Sequence, residues 1–371
     1  MRILFFTESL RSGGKERRLL ELIRYLNGKV GYELLLVLTE EEIHYKYAYE
    51  LDVEIKVLRR KYLRKDPVIF FRFYNLCKEF KPDIIHTWGS MLAFYAIPVS
   101  VLQGIPHVNG HIADAPVHLD MLSFHYLITK IGFRYSDIVL SNSQAGLRSY
   151  KVSGSKCRVI YNGLDLRRFD NLPDRNDVRS LYGITTRYLV IMVASYISGK
   201  RYDEFVNLAK TFSSKRNDVT FLAVGDARAD NREFERICNM SANLDNIRLL
   251  EKVEKIEPLI HAADVGVLFT QSEGISNSIL ECMACGKPVL ASDAGGTREI
   301  IEDNETGFLI ADHNGSKAEE IICRLLESDV LRHEVGRKAR ALIESRFALD
   351  GMGKNFEGLY QTLQIRSGQN M

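Results

Sequence analysis

Two glutamates, Glu273 and Glu281, flank the apolar core of "SEGISNSILECMACGKPVLAS" (272–292). The preceding "DVGVLFT" reads as a strand, "QSEG" as a turn, and Ser276 or Ser278 as the start of a helix. At such a start the backbone N–H groups of Ile275 to Ser278 lack intrahelical partners and offer a cradle for phosphate. Glu273 stands before the cradle, within reach of a polar group beyond the phosphate. Glu281 lies in the first turn or two, where a carboxylate can take two hydrogen bonds from a vicinal diol such as a ribose. The same residues also fit a capping box, "SILE" (278–281), with Glu281 serving the helix's own first N–H. Chemistry alone leaves both readings open.

A second glycine-bearing turn follows the first apolar run, in "TESLRSGGKE", where Gly13 and Gly14 precede a helical stripe of Leu19, Leu20, Leu22, Ile23 and Leu26. Paired glycines admit close approach of backbone to a ligand, or simply make a turn. Neither G-x-G-x-x-G nor a Walker P-loop occurs, which argues against a nicotinamide-dependent oxidoreductase and a P-loop kinase. Cys282 and Cys285 form a lone C-x-x-C without a second pair or nearby histidine, so no metal site is expected there.

Positioning these turns requires strands and helices in alternation. Short apolar runs ("RILFFT", "YELLLVLT", "DVEIKVL", "DIIHTW", "PHVNGH", "DIVLSNS") alternate with amphipathic stretches in the first half, and "YLVIMVAS", "VTFLAVG", "IRLLEKV", "DVGVLFT", "PVLAS" and "TGFLI" repeat the style in the second. Strands apolar on both faces and separated by helices imply parallel sheets, hence two α/β doubly wound domains. A chain of 371 residues suits two domains. The polar stretch Asn162 to Ile184 reads as the linker between them. Hydrophobic content of 46% and charged content of 26% are those of a soluble globular protein. Thr7 and Glu8 interrupt the opening too early for a signal peptide. The run from Met91 to Val108 is broken by Pro98, Gln103, Gly104 and Pro106, so it does not read as a membrane span. Six cysteines without paired spacing suggest free thiols in a reducing cytoplasm. The first 170 residues carry 25 Lys/Arg against 18 Asp/Glu and the remainder 25 against 30, so the two halves are expected to face different partners.

Taken together, "SEGISNSILECMACGKPVLASDAGGTREII" resembles the E-x7-E signature of retaining glycosyltransferases of family 4, which have the GT-B fold. The resemblance covers nearly the whole chain. "SGGKERRLLEL" is similar to the family's Gly-Gly-x-Glu loop, "VIYNGLDLRRF" to its last strand before the second domain, and "NIRLLEKVEKIEPLIHAADVGVLFTQSEG" to the approach to its donor site. It implies two Rossmann-like domains facing a central cleft: an acceptor-binding domain over 1–165 with a returning helix over 350–371, and a nucleotide-sugar-binding domain over 166–349. By the same resemblance Glu281 holds the donor ribose, Glu273 contacts the donor sugar, and Gly274, Ile275, Ser276 and Asn277 cradle the diphosphate together with Gly13 and Gly14. In "MVASYISGKRYDEF" Lys200 falls on the family's phosphate-binding lysine. Ser195 occupies the usual arginine position, with Arg201 as a stand-in cation. Base selection falls to backbone around Lys252 and Val253. His111, in "VNGHIAD", corresponds to the family's histidine near the transferred sugar, and His86 ends another strand of the same domain.

Breaking a sugar–phosphate bond puts charge on the leaving diphosphate, which needs a metal or fixed cations. No carboxylate pair stands at a strand end to hold a metal, so a cofactor-free, metal-independent transfer is expected, with a nucleotide-sugar (UDP-sugar before GDP-sugar) as donor and a lipid-linked or glycan acceptor. The basic, aromatic stretch 57–81, with eight Lys/Arg among Phe70, Phe71, Phe73 and Tyr74, suggests contact with the inner face of an anionic membrane. No RNA-binding motif accompanies it, and no nucleic-acid partner is expected. The rival readings are a nucleotide-sugar epimerase of the same fold, which the E-x7-E spacing disfavours, and a nucleotide-sugar-binding protein without turnover, which Ser195 motivates.

Overall fold

The computed structural model describes residues 1–11, 13–60, 66–227 and 232–369. The chain divides into two compact units, Met1–Gly163 with Leu349–Met371, and Leu164–Ala348.

In the first unit seven strands form one parallel sheet: β1 (Arg2–Thr7), β2 (Glu33–Leu38), β3 (Glu54–Val57), β4 (Ile84–Thr87), β5 (His107–Ile112), β6 (Ile138–Ser141) and β7 (Cys157–Val159), in the order β3-β2-β1-β4-β5-β6-β7. The three-residue edge strand β7 adds to the strands visible as apolar runs. Helices α1 (Gly14–Asn27), α2 (Val68–Phe80), α3 (Ser90–Gln103), α4 (Phe124–Tyr135) and α5 (Gln144–Ser149) connect them. Side chains alternate across a strand, and β1 shows why it must be apolar throughout. Ile3 and Phe5 join one core with Leu19, Leu22 and Ile23 of α1, while Leu4 and Phe6 join another with Ile69 and Phe73 of α2.

The second unit holds β8 (Tyr188–Val193), β9 (Val219–Gly225), β10 (Ile247–Glu251), β11 (Val265–Leu268), β12 (Val289–Ser292) and β13 (Phe308–Ile310), ordered β10-β9-β8-β11-β12-β13 and all parallel. Its helices are α6 (Arg175–Leu181), α7 (Tyr202–Ser213), α8 (Arg232–Ser241), α9 (Glu257–Ala262), α10 (Asn277–Ala284), α11 (Gly315–Glu327) and α12 (Asp329–Arg346). The final helix, α13 (Leu349–Gln369), packs back on the first unit through Met352, Phe356, Tyr360 and Leu363.

The stretch 162–184, expected as a linker, is instead folded into the second unit from Leu164 onward. It forms a 3-10 turn (Leu166–Phe169) and α6, and Arg175 and Arg179 each bond Asp264 at 2.7 Å. Arg175 and Arg179 thus serve ion pairs to a largely shielded Asp264, which composition cannot distinguish from solvation. Pro98 lies inside α3, and among the described residues no helix is long and apolar enough to cross a membrane.

Candidate active site

In both sheets the strand order reverses beside the first strand of the unit, between β1 and β4 and between β8 and β11. Loops leaving the carboxyl ends of the two central strands there diverge and leave a crevice for ligand. Several of the second unit's candidate residues lie on the loops that leave this point. The loop after β8 carries Ser195, Lys200 and Arg201, and the loop after β11 carries Glu273. The two loops are tied together by Gln271 N–H donating to the Gly199 carbonyl at 2.9 Å. Lys200 Nζ pairs directly with Glu273 Oε1, both side chains being largely shielded. Gly296 N–H donates to the Glu273 carbonyl at 2.9 Å, and Gly295 stands at φ +56 with no room for a Cβ, which would lie 2.1 Å from that oxygen. The Gly295–Gly296 turn thus fixes the Glu273 backbone from behind, using a conformation and an approach only glycine permits.

Helix α10 starts after Ser276, whose side chain makes no capping bond; its Oγ instead lies 3.1 Å from Ser278 Oγ. Gly274, Ile275 and Ser276 are buried in the turn, and Asn277 opens the helix. Glu281 is therefore the fifth helical residue, beyond the third position a capping box needs. The capping reading falls on geometry. Glu281 is 2% exposed and bonds Arg168 instead, Nη2 to Oε1 at 2.9 Å. The same guanidinium bonds Glu257 at the start of α9, Nε to Oε1 at 2.7 Å. Burial opposes the Arg168 charge, but Glu281 and Glu257 together hold its pKa above the ordinary arginine value.

Sequence reasoning missed Arg168 and Glu257. Arg168 lies 113 residues from Glu281, so no local pattern links them. The available signal was the carboxylate itself: a glutamate amid the apolar residues of a helix needs a cation from somewhere.

Arg201, expected as a stand-in phosphate cation, is 7% exposed. It bonds Glu204 and Asp312 at 3.0 Å each, from a left-handed backbone at φ 34 where α7 begins. Its charge is committed to carboxylates within the unit. Ser195 is half-buried after β8, and Lys252 and Val253 follow β10 just before α9. Cys282 and Cys285 are free thiols; burial pushes Cys285 up to about 12 and Cys282 well above its ordinary value, so neither ionises at neutral pH.

In the first unit Gly13 precedes α1, donating its N–H to Tyr45 Oη at 3.1 Å and accepting back at 2.9 Å, and Gly14 opens the helix. His111, on β5, stacks edgewise on Tyr150 at 5.4 Å and on His125 at 6.2 Å. Its Nε2 is enclosed and has no hydrogen-bond partner among the described residues. Burial, helped by Lys15 and His125, pushes its pKa down to about 3, so the ring is neutral at pH 7. His86 is a structural residue: it is fully buried, with Nδ1 2.7 Å from Tyr360 Oη on α13. Of the basic stretch 57–81, residues 61–65 lie outside the described residues; α2 buries Ile69, Phe73, Leu76, Cys77 and Phe80 and exposes Phe71.

Family models match both units, "Glycosyltransferase Family 4" over residues 12–168 and "Glycosyl transferases group 1" over 187–328. The chain belongs to the family 4, group 1 glycosyltransferases. Among its relatives, the alpha-D-kanosaminyltransferase of Streptomyces kanamyceticus is 25% identical over 52% of this chain and 50% of its own, so this chain spans about half of that relative's length. A GDP-mannose-dependent monoacylated alpha-(1-6)-phosphatidylinositol monomannoside mannosyltransferase of Corynebacterium glutamicum is 26% identical over 87% of each chain. The crystal structure of Anabaena HepE in complex with UDP-glucose is 21% identical with a TM-score of 0.87, covering 98% of this chain and 100% of that one. That likeness shows the GT-B fold. The glycosyltransferase family thus rests on both units. Within this family member, the E-x7-E pair divides as the geometry describes: Glu273 with a lysine at the sheet's switch point, Glu281 with an arginine inside the helix.

Proposed function

We propose that the protein is a retaining, metal-independent glycosyltransferase that moves a sugar from a nucleotide-sugar to a lipid-linked or glycan acceptor in cell-surface polysaccharide or lipopolysaccharide assembly, at the cytoplasmic face of the membrane. The observation that carries this reading is the Lys200–Glu273 pair at the switch point between β8 and β11, with Glu281 held one helical segment further on. In the reaction the bond from the sugar's anomeric carbon to phosphate breaks and its electrons pass to the diphosphate. Lys200 and the amides at the start of α10 take up that charge. The acceptor oxygen bonds the anomeric carbon on the same face, and its proton passes to the departing phosphate oxygen. Neutral His111 binds sugar hydroxyls rather than acting as the base. Lys200 leaves Glu273 for the diphosphate when donor binds, freeing Glu273 for the donor sugar.

UDP-sugars are favoured by the UDP-glucose complex of HepE, while the corynebacterial mannosyltransferase argues for keeping GDP-sugars in view. The phosphatidylinositol monomannoside in that relative's name supports a lipid-linked acceptor here. A membrane-facing surface is supported by Val117, Met121, Leu122, Phe124 and Leu127, all exposed, with Leu122 98% accessible and Lys151 Nζ 3.5 Å from Met121 Sδ. Apolar side chains beside lysine suit an anionic bilayer. The double variant Leu122→Ser/Phe124→Ser should lose co-sedimentation with anionic phosphatidylglycerol vesicles; undiminished co-sedimentation would remove that surface.

The test of the reaction is thermal stabilisation by UDP, GDP, their common sugar conjugates and ADP-glucose, in EDTA. A nucleotide-sugar that raises Tm more than its bare diphosphate identifies base and sugar together, because ligands of the native state stabilise it by mass action. No shift with any of them, with or without magnesium, would refute donor binding. A binder that is never turned over with lipid or glycan acceptors would favour the binding-protein reading.

A further inference from the structure

We infer that Arg168 is a positioning residue for the donor ribose, aiming the Glu281 carboxylate; the inference rests on the proposed role of Glu281. Arg168 arrives on the 3-10 turn Leu166–Phe169, whose start is capped by Asp165 accepting from Arg167 N–H at 3.1 Å. From there its fork spans two elements, reaching Glu257 at the first residue of α9 and Glu281 in the second turn of α10. All three side chains are largely or wholly out of water, at 16%, 10% and 3% exposure.

A carboxylate this buried needs a fixed polar partner to hold its direction. Arg168 supplies one, because a planar guanidinium fork fixes the direction of the oxygens it bonds. Two carboxylates, Glu257 and Glu281, meet the guanidinium of Arg168. A phosphate is itself an anionic acceptor and suits such a place poorly, whereas two neutral hydroxyls bring hydrogen-bond donors without adding charge. A vicinal diol is the group that fits, its two hydroxyls donating to a carboxylate. Arg168 therefore acts through Glu281.

The experiment compares UDP with 2′-deoxy-UDP, and GDP with 2′-deoxy-GDP, by calorimetric Kd for wild type, Arg168→Met and Arg168→Lys, each checked for fold by circular dichroism. Wild type should prefer the ribose form by roughly tenfold, the loss of one charge-assisted hydrogen bond. In Arg168→Met the preference should fall to about twofold or less, with the deoxy form bound nearly as before. Arg168→Lys keeps the charge without the fork; it should fold and give an intermediate preference, and it carries the test if the methionine variant does not fold. Arg167→Ala, altering an exposed side chain paired with Asp165, should leave the preference intact. A wild type that binds both forms equally, or neither, overturns the ribose role of Glu281. A wild type that discriminates while folded Arg168 variants discriminate just as well overturns the role of Arg168 alone.

Discussion

At the scale of residues, the two glutamates of one motif have different electrostatic surroundings. Glu273 is paired with a flexible lysine, a point charge that a diphosphate can draw away; Glu281 is paired with an arginine fork that holds direction. Glu281→Ala should therefore weaken nucleotide binding by roughly 1–3 kcal/mol, the value of a hydrogen bond to a charged group, read as a Kd for the diphosphate. Unchanged affinity would leave Glu281 as a structural partner of Arg168. Glu273→Ala should lower kcat far more than nucleotide affinity, which separates contact with the sugar from contact with the nucleotide. Equal losses in both would reassign Glu273 to the nucleotide.

At the scale of elements, the turn behind Glu273 is as constrained as the glutamate itself. Gly295→Ala adds a methyl where φ is +56 and where the Glu273 carbonyl already stands. Backbone strain of roughly 1–3 kcal/mol is expected, and because the site's loop must move, kcat should drop by about 10- to 100-fold. A stable variant with full turnover would show that the loop tolerates displacement. Helix α13 makes the corresponding demand on the first unit. Phe356 is fully buried, and Gly353 packs so closely on the Tyr25 ring that a Cβ would lie 2.4 Å from it. Phe356→Ala should cost about 3–5 kcal/mol in urea unfolding.

At the scale of the whole molecule, the buried histidines make the first unit acid-sensitive. Burial pushes His107 and His111 from 6.5 down to about 3 and His86 well below its ordinary value. The unfolded chain binds protons at these sites below pH 6.5 while the folded chain does not. Their stabilising neutrality is thus complete above pH 6.5 and lost as pH falls toward 3. Urea midpoints should decline from pH 7 to pH 4, less steeply in His107→Gln, which keeps a side chain able to bond Thr87 Oγ1, 2.9 Å away in the native protein. A midpoint flat over that range would contradict the assignment.

The α/β class and parallel sheets were legible in the sequence because a strand buried on both faces must be apolar at every position, as Ile3 to Phe6 are. The glycosyltransferase family was legible because its turns need particular residues at fixed offsets: glutamate, glycine and helix start within a few positions of one another. What lay beyond reach were pairings set by long-range approach. Asp264 gathering Arg175 and Arg179, Asp312 taking up Arg201, and Arg168 joining α9 to α10 each depend on a loop arriving from a distant part of the chain. A buried charge states in the sequence that it needs a partner, because desolvation is too costly otherwise. Which of 50 lysines and arginines answers is decided only by the tertiary fold.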